Sequence, residues 1–181
     1  HLKLCSSLCP FRYMNKDSKL SAGGVIERPL SCNKPTKEEA EDAVRTLLRY
    51  IGEDVSREGL AETPSRVVKW YREAAAGYAQ DPAAILSKTF DEIEGYDDII
   101  ALHSIEFSSL CEHHLLPVIG HVHIGYLPEK RVVGISKLSR IVEAFARRLQ
   151  LQERMTQQIA TSILEALTPR GVIVVIDAEH H

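Results

Sequence analysis

Between residues 118 and 176 the hydrophobic pattern switches from a strand period to a helix period and back, and this order limits the folds open to the chain. VIGHVHIGY (118–126) alternates, with Val118, Gly120, Val122, Ile124 and Tyr126 on one face and His121 and His123 on the other. Apolar residues then recur at helical spacing: Leu138, Ile141, Val142, Phe145 and Leu149, followed by Met155, Ile159, Ile163, Ala166 and Leu167. Pro169-Arg170-Gly171 breaks the pattern, and VIVVI (172–176) reads as a buried strand. Upstream, IIALHSIEF (99–107) reads as a strand with imperfect alternation, and PEK (128–130) as a turn into a short strand, RVVGI. Strand–strand–helix–helix–strand predicts an α+β unit: one antiparallel sheet with two helices packed on one of its faces.

The region before it is helical. Thr36 and Glu39 form a T-x-x-E capping box ahead of Ala40, Ala43, Val44, Leu47, Leu48 and Ile51, and Gly52 ends that helix. A second helix opens at Thr63-Pro64 and carries Val67, Trp70, Tyr71 and Ala74 on its apolar face. PAAILSKTF (82–90) adds a short third. Residues 1–35 show no sustained period and read as a mobile arm. The expected organisation is therefore an arm (1–35), an N-terminal helical region (36–95) and an α+β domain (96–181).

The formal net charge of −3 gives no general attraction to nucleic acid or to an anionic membrane, so neither is an expected partner. No apolar run approaches the ~20 residues of a membrane-spanning helix. Of the cysteines, Cys5, Cys9 and Cys32 lie in the arm and only Cys111 in the body, which fits a reducing cytoplasm rather than a disulfide framework. Cys5 and Cys9 have a C-x3-C spacing, but no histidine or cysteine pair follows at a suitable distance. The chain opens on His1 rather than methionine, as a fragment or processed product would, and HLKLCSSLCPFRYM lacks the form of a signal peptide.

SLCEHHLLP (109–117) concentrates reactive side chains. Cys111 and His114 have a C-x2-H spacing that lets a short turn aim a thiolate and an imidazole at one ion, a donor pair suited to zinc rather than to magnesium or calcium. The alternative is a cysteine serving as a small buried hydrophobe beside surface histidines. His113, adjacent to His114, diverges from it and is better placed to carry protons, since imidazole titrates near neutrality. His121 and His123 share a strand face, as a metal pair or as solvated side chains. Lys137, Arg140, Arg147 and Arg148, with Arg131 just before, form a basic cluster at and beyond a predicted helix N-terminus, where Ser136-Lys137 could receive a phosphate. A solvated basic helix face accounts for the same residues. Gln152-Glu153 opens the next helix, where a carboxylate could accept from a guanine N1–H and 2-amino group or serve only as an N-terminal charge.

REGLAETPSRVVK (57–69), SLCEHHLLPVIGHVHIGYLP (109–128), VVGISKLSRIVEAFARRLQLQERMTQQIA (132–160) and GVIVVIDAEH (171–180) together resemble GTP cyclohydrolase I, nearly continuously from residue 36 onward. The resemblance implies N-terminal helices followed by a tunnelling-fold unit, assembled as a homodecameric ring with active sites at subunit contacts. It implies conversion of GTP and water to 7,8-dihydroneopterin triphosphate and formate, the entry to folate and other pterins. On that resemblance Cys111 and His114 would ligate one Zn2+ per subunit, acidifying the water that attacks C8 of the guanine. His113 and His180 would transfer protons and Ser136 would hold the ribose. Gln152 and Glu153 would hold the guanine, and Lys137, Arg140 and Arg66 would neutralise the triphosphate, Arg66 from a neighbouring subunit.

One departure from the family stands out. The third zinc ligand there is a cysteine two residues beyond the counterpart of His180, whereas this sequence stops at His181, which alternation points to the other face. The sequence is therefore expected to be a C-terminally cut form, binding zinc weakly and turning over little. Two other readings remain: a tunnelling-fold relative acting on another purine or pterin, and a non-catalytic zinc- or nucleotide-binding subunit.

Overall fold

The computed structural model describes residues 13–15, 34–90 and 98–180, for Tyr13–Asn15 the backbone alone. The remaining residues of the expected arm, Cys5, Cys9 and Cys32 included, and His181 lie outside the described residues. The chain divides into two compact units, one of residues 19–74 and the other of residues 1–18 with 75–181.

In chain order the elements are β1 (Tyr13–Asn15), α1 (Lys37–Tyr50), α2 (Thr63–Ala74), α3 (Pro82–Leu86), β2 (Thr89–Phe90), β3 (Ile100–Cys111), β4 (Pro117–Leu127), β5 (Val132–Val133), α4 (Ile135–Ala146), β6 (Leu149–Gln150), α5 (Gln152–Leu167) and β7 (Gly171–His180). Short 3-10 turns occupy Glu58–Leu60 and Ala76–Ala79.

In the smaller unit the capping box forms as read: the Glu39 N–H donates to Thr36 Oγ1 at 3.2 Å, and the Thr36 N–H to Glu39 Oε2 at 2.7 Å. Gly52, at φ +92°, takes the left-handed conformation beyond the helix end. The apolar faces of α1 and α2 are not buried as their periodicity suggested. No α1 residue is buried, Leu47 is 63% exposed, and Trp70 and Tyr71 remain partly exposed while their rings meet edge to face at 4.9 Å. Two packed helices have too little surface between them to cover both stripes.

In the larger unit the strand order is β1-β7-β4-β3-β6, antiparallel except where β6 runs parallel to β3, with β2 and β5 as a separate pair. The sheet is thus mixed rather than purely antiparallel. Helices α4 and α5 pack on one face, where Leu138, Ile141, Val142, Met155, Ile159 and Ile163 meet Val122, Ile124, Val172, Val174 and Ile176 in one core. At 25 cal/mol per Å2 each such side chain contributes roughly 1.5–3 kcal/mol when removed from water. Strand β7 differs from its expected two-sided burial: Ile173 and Val175 are only half-buried, because its second face carries no helix. Strand β3 also runs on to Cys111, past the predicted end, with an irregularity between Leu102 and Ile105 where Ser104 sits at φ +57°. Leu149, grouped above with α4, belongs instead to β6; the helix stops at Ala146 and the chain turns to pair Leu149-Gln150 with Leu110-Cys111.

Candidate active site

The end of β3, the start of β4, the end of β7 and the first turn of α5 converge at one end of the sheet. Cys111, the last β3 residue, is 3% exposed. The turn after it is closed by main-chain bonds, Leu115 N–H to Cys111 O and Cys111 N–H to Leu116 O, both at 2.9 Å, with Leu115 at φ +59°. This return brings His114 back over the thiol, with Cys111 Sγ 3.7 Å from His114 Nδ1. A sulfur at 2.3 Å and a nitrogen at 2.0–2.1 Å from one tetrahedral zinc stand about 3.6 Å apart, so this donor pair fits a single ion. Among the described residues no third His, Cys, Asp or Glu joins them.

His113 faces outward, its side chain 63% exposed, with its ring centroid 6.1 Å from that of His114 and the two planes at 74°. His180 closes β7 directly opposite Val118, which in turn pairs with Ser109. Residues paired across strands share a face, as do residues two apart, so His180 lies on the face of Cys111. Gln152 and Glu153 begin α5. Gln152 is half-buried and donates Nε2–H to the Ile176 carbonyl at 3.0 Å, whereas Glu153 is exposed.

Three residues that sequence reasoning did not single out support this end. Glu112 accepts from both terminal nitrogens of Arg154, and this hydrogen bonding holds its carboxyl below the usual range. Its N–H donates to the Gln150 carbonyl at 3.1 Å. Gln150 is buried and donates Nε2–H to Phe145 O and Gln158 Oε1, both at 2.9 Å, while its own Oε1 is the buried side-chain atom without a protein partner among the described residues. The only sequence signal for Glu112 was its place inside the C-x2-H loop; Arg154 and Gln150 gave none.

The basic residues divide. Ser136, Lys137 and Arg140 sit on the first turns of α4, where Lys137 and Arg140 with Gln80, Asp81 and Glu143 line a depression of about 370 Å3. Arg148 does not join them. Its Nε–H donates to Ala144 O (2.9 Å) and Gly77 O (3.2 Å), Nη2 to Gln80 O (3.3 Å), and its guanidinium lies 5.0 Å from the Phe145 ring centroid. Burial pushes its pKa down. Arg147 pairs with Glu143 at 3.1 Å.

Ser136 and Lys137, in the first turn of α4, lie towards the end of that helix remote from Cys111, and Arg140 lies about midway along it. The C-terminal end of α4 adjoins Ser109, whose Oγ donates to Arg148 O. Its N-terminal end follows Val133, which bonds the Tyr126 hydroxyl at the far end of the sheet. The helix between is about 18 Å long. Arg66 lies on α2 in the other unit, exposed and ion-paired with Glu62.

The family model for GTP cyclohydrolase I matches residues 40–181. The chain belongs to the GTP cyclohydrolase I family. It is 58% identical over 147 residues to the GTP cyclohydrolase 1 of Brucella suis, covering 81% of this chain and 69% of that one. It is 55% identical to the GTP cyclohydrolase 1 of Maricaulis maris, covering 81% and 72%. The GTP cyclohydrolase I match takes in both Arg66 and every candidate residue from Cys111 to His180. Among the described residues no helix is long and apolar enough to cross a membrane.

Proposed function

We propose that this chain opens the imidazole ring of GTP hydrolytically, releases formate and forms 7,8-dihydroneopterin triphosphate, as a cytoplasmic enzyme at the entry to pterin synthesis. Beyond family membership, the observation that supports this reading is the Cys111–His114 donor pair at 3.7 Å, placed on the same face and end of the sheet as His180. Cys111 and His114 would hold a zinc ion. When bound, the ion acts as a Lewis acid that brings the acidity of a water close to neutrality.

The chain's own residues do the rest. His113, exposed at the rim, gives and takes protons at the imidazole nitrogens of the guanine, and His180 does so from the β7 side. Glu153 accepts from N1–H and the 2-amino group, and Gln152 keeps its side-chain oxygen free for a further donor. Ser136 hydrogen-bonds the ribose, while Lys137, Arg140 and Arg66 neutralise the triphosphate. Residues 96–181 form the catalytic domain in this scheme.

Because Ser136 and Lys137 stand near the end of α4 remote from Cys111, they serve, with Arg140, the site of a neighbouring copy, and the enzyme works as a ring, in our reading a decamer. Exposed Leu115, Leu116 and Ile119 beside the site, and Leu47 and Tyr50 on α1 with Ile51 just after it, are apolar surface for such contacts. The test is incubation of the full-length protein with GTP, assaying formate and the oxidised, fluorescent pterin. GTP consumption without formate rejects the reading. Mixing Lys137→Ala protein with His113→Ala protein, each inactive, restores activity if sites are shared between copies.

A further inference from the structure

A C-x2-H pair is useful only while the turn between its donors keeps its shape. The main-chain bonds around Cys111 fasten the strand end of this turn, through Leu115, Leu116 and Gln150. Its outer part is fastened by a side chain. Glu112 leaves the loop and presents both carboxylate oxygens to Arg154, 42 residues away, with Oε1 accepting from Nη2 at 2.8 Å and Oε2 from Nη1. Arg154 lies in the first turn of α5, immediately after Gln152 and Glu153.

This is a fork-to-fork pair, the arrangement that fixes orientation as well as distance. Its side chains are 26% and 44% exposed, and ion pairs in such surroundings add little to stability. Glu112 Oε1 also lies 4.0 Å from His113 Nε2, so the same carboxylate borders the outward-facing histidine.

We propose that Glu112 and Arg154 form a positioning strut that sets the separation between the Cys111–His114 loop and the Gln152–Glu153 turn. The inference rests on the function proposed above, in which the loop supplies the attacking water and the turn holds the purine. Neither residue touches substrate; both act through their neighbours. A guanidinium engaged at both ends of its fork is not available as a triphosphate contact, which separates Arg154 from Lys137 and Arg140 although all are basic. Lysine cannot replace it, because a single ammonium cannot engage two carboxylate oxygens in one plane.

The experiment compares Glu112→Gln, Arg154→Lys and their combination in the full-length protein, reading kcat, KM for GTP, zinc affinity by chelator competition and Tm. Each single change should lower kcat or zinc affinity by about 10- to 100-fold, the usual effect of removing a group that orients a metal ligand. KM and Tm should change little. The combined variant should be no worse than either single one, because the second change removes a partner already lost. Additive losses, or a raised KM with kcat and zinc affinity intact, would overturn the strut. Failure of the wild-type protein to release formate would instead overturn the proposed function, and the zinc titrations alone would then decide the strut by the same non-additivity.

Discussion

Gln152 reaches from the first turn of α5 to the main chain of β7, where its side-chain amide donates to the Ile176 carbonyl at 3.0 Å. One of the two guanine-holding candidates therefore also ties its helix to the sheet. The half-buried bond is worth about 1 kcal/mol net, and its loss leaves the Ile176 carbonyl without that donor. Gln152→Ala should lower stability by about 1–2 kcal/mol and raise KM for GTP, whereas Glu153→Ala, at an exposed position, should raise KM with stability within about 0.5 kcal/mol. Denaturant unfolding beside steady-state kinetics separates the two.

The Cys111–His114 spacing makes metal removal informative. Full-length protein stripped by a chelator should lose formate release and regain it on addition of zinc. Cys111→Ser and His114→Ala should each abolish that recovery and reduce bound zinc per chain, measured by elemental analysis. Cys111 is buried among core residues, so Cys111→Ala should cost an additional ~1 kcal/mol of stability through lost packing, whereas His114→Ala, at an exposed position, should not.

How far the fold was legible depended on whether one period held through each segment. Leu138, Ile141, Val142 and Phe145, and Met155, Ile159 and Ile163, kept a helical period and are all buried as that period required. Strand β3 did not. The irregularity between Leu102 and Ile105 shifts the alternation by one residue, so no single phase fits 99–107, and Ser109, Leu110 and Cys111 are all buried in succession. Leu149 fits the helical phase of α4, but its N–H donates to the Tyr78 hydroxyl at 3.1 Å and its strand pairs with Leu110-Cys111. Both partners are distant in sequence and give no local signal. The same limit hid the Glu112–Arg154 pair: spacing displayed the C-x2-H loop, but only the fold brings a residue 42 positions away against it.

In the loop after α1, Asp54 accepts from the Ser56 hydroxyl at 2.6 Å and from the Ser56 N–H at 2.9 Å, and these bonds hold its carboxyl below the ordinary 3.8. A carboxylate with a depressed folded-state pKa stabilises fully above its unfolded value and loses that contribution as pH falls through the folded one. The Tm difference between wild type and Asp54→Asn should therefore be constant at neutral pH and shrink as the pH drops below 3.8. A difference that grows on acidification would contradict the assigned sign.

Gly77 is fixed by close approach rather than by a special backbone angle. A methyl group there would stand 2.3 Å from the Ala144 carbonyl oxygen and 2.6 Å from that of Arg147, both main-chain atoms at the end of α4. The neighbours cannot retreat cheaply. The Gly77 N–H donates to Arg147 O at 2.9 Å, and Gly77 O accepts from Arg148 Nε at 3.2 Å, so any shift that admits the methyl breaks bonds on both sides of the residue. The same chain segment leads through Arg148 and Leu149 to the β6 pairing beside Cys111. Gly77→Ala should therefore lower stability by at least ~2 kcal/mol, at the upper end of what overpacking costs, and should weaken zinc binding with it. Gly59→Ala is the control: the nearest atom to its added methyl is Arg57 Nη1 at 3.8 Å, an ordinary contact with a flexible side chain. That change should stay within about 0.5 kcal/mol of wild type in the same denaturant titration. If the two variants unfold alike, the close approach of Gly77 to α4 does not hold in solution.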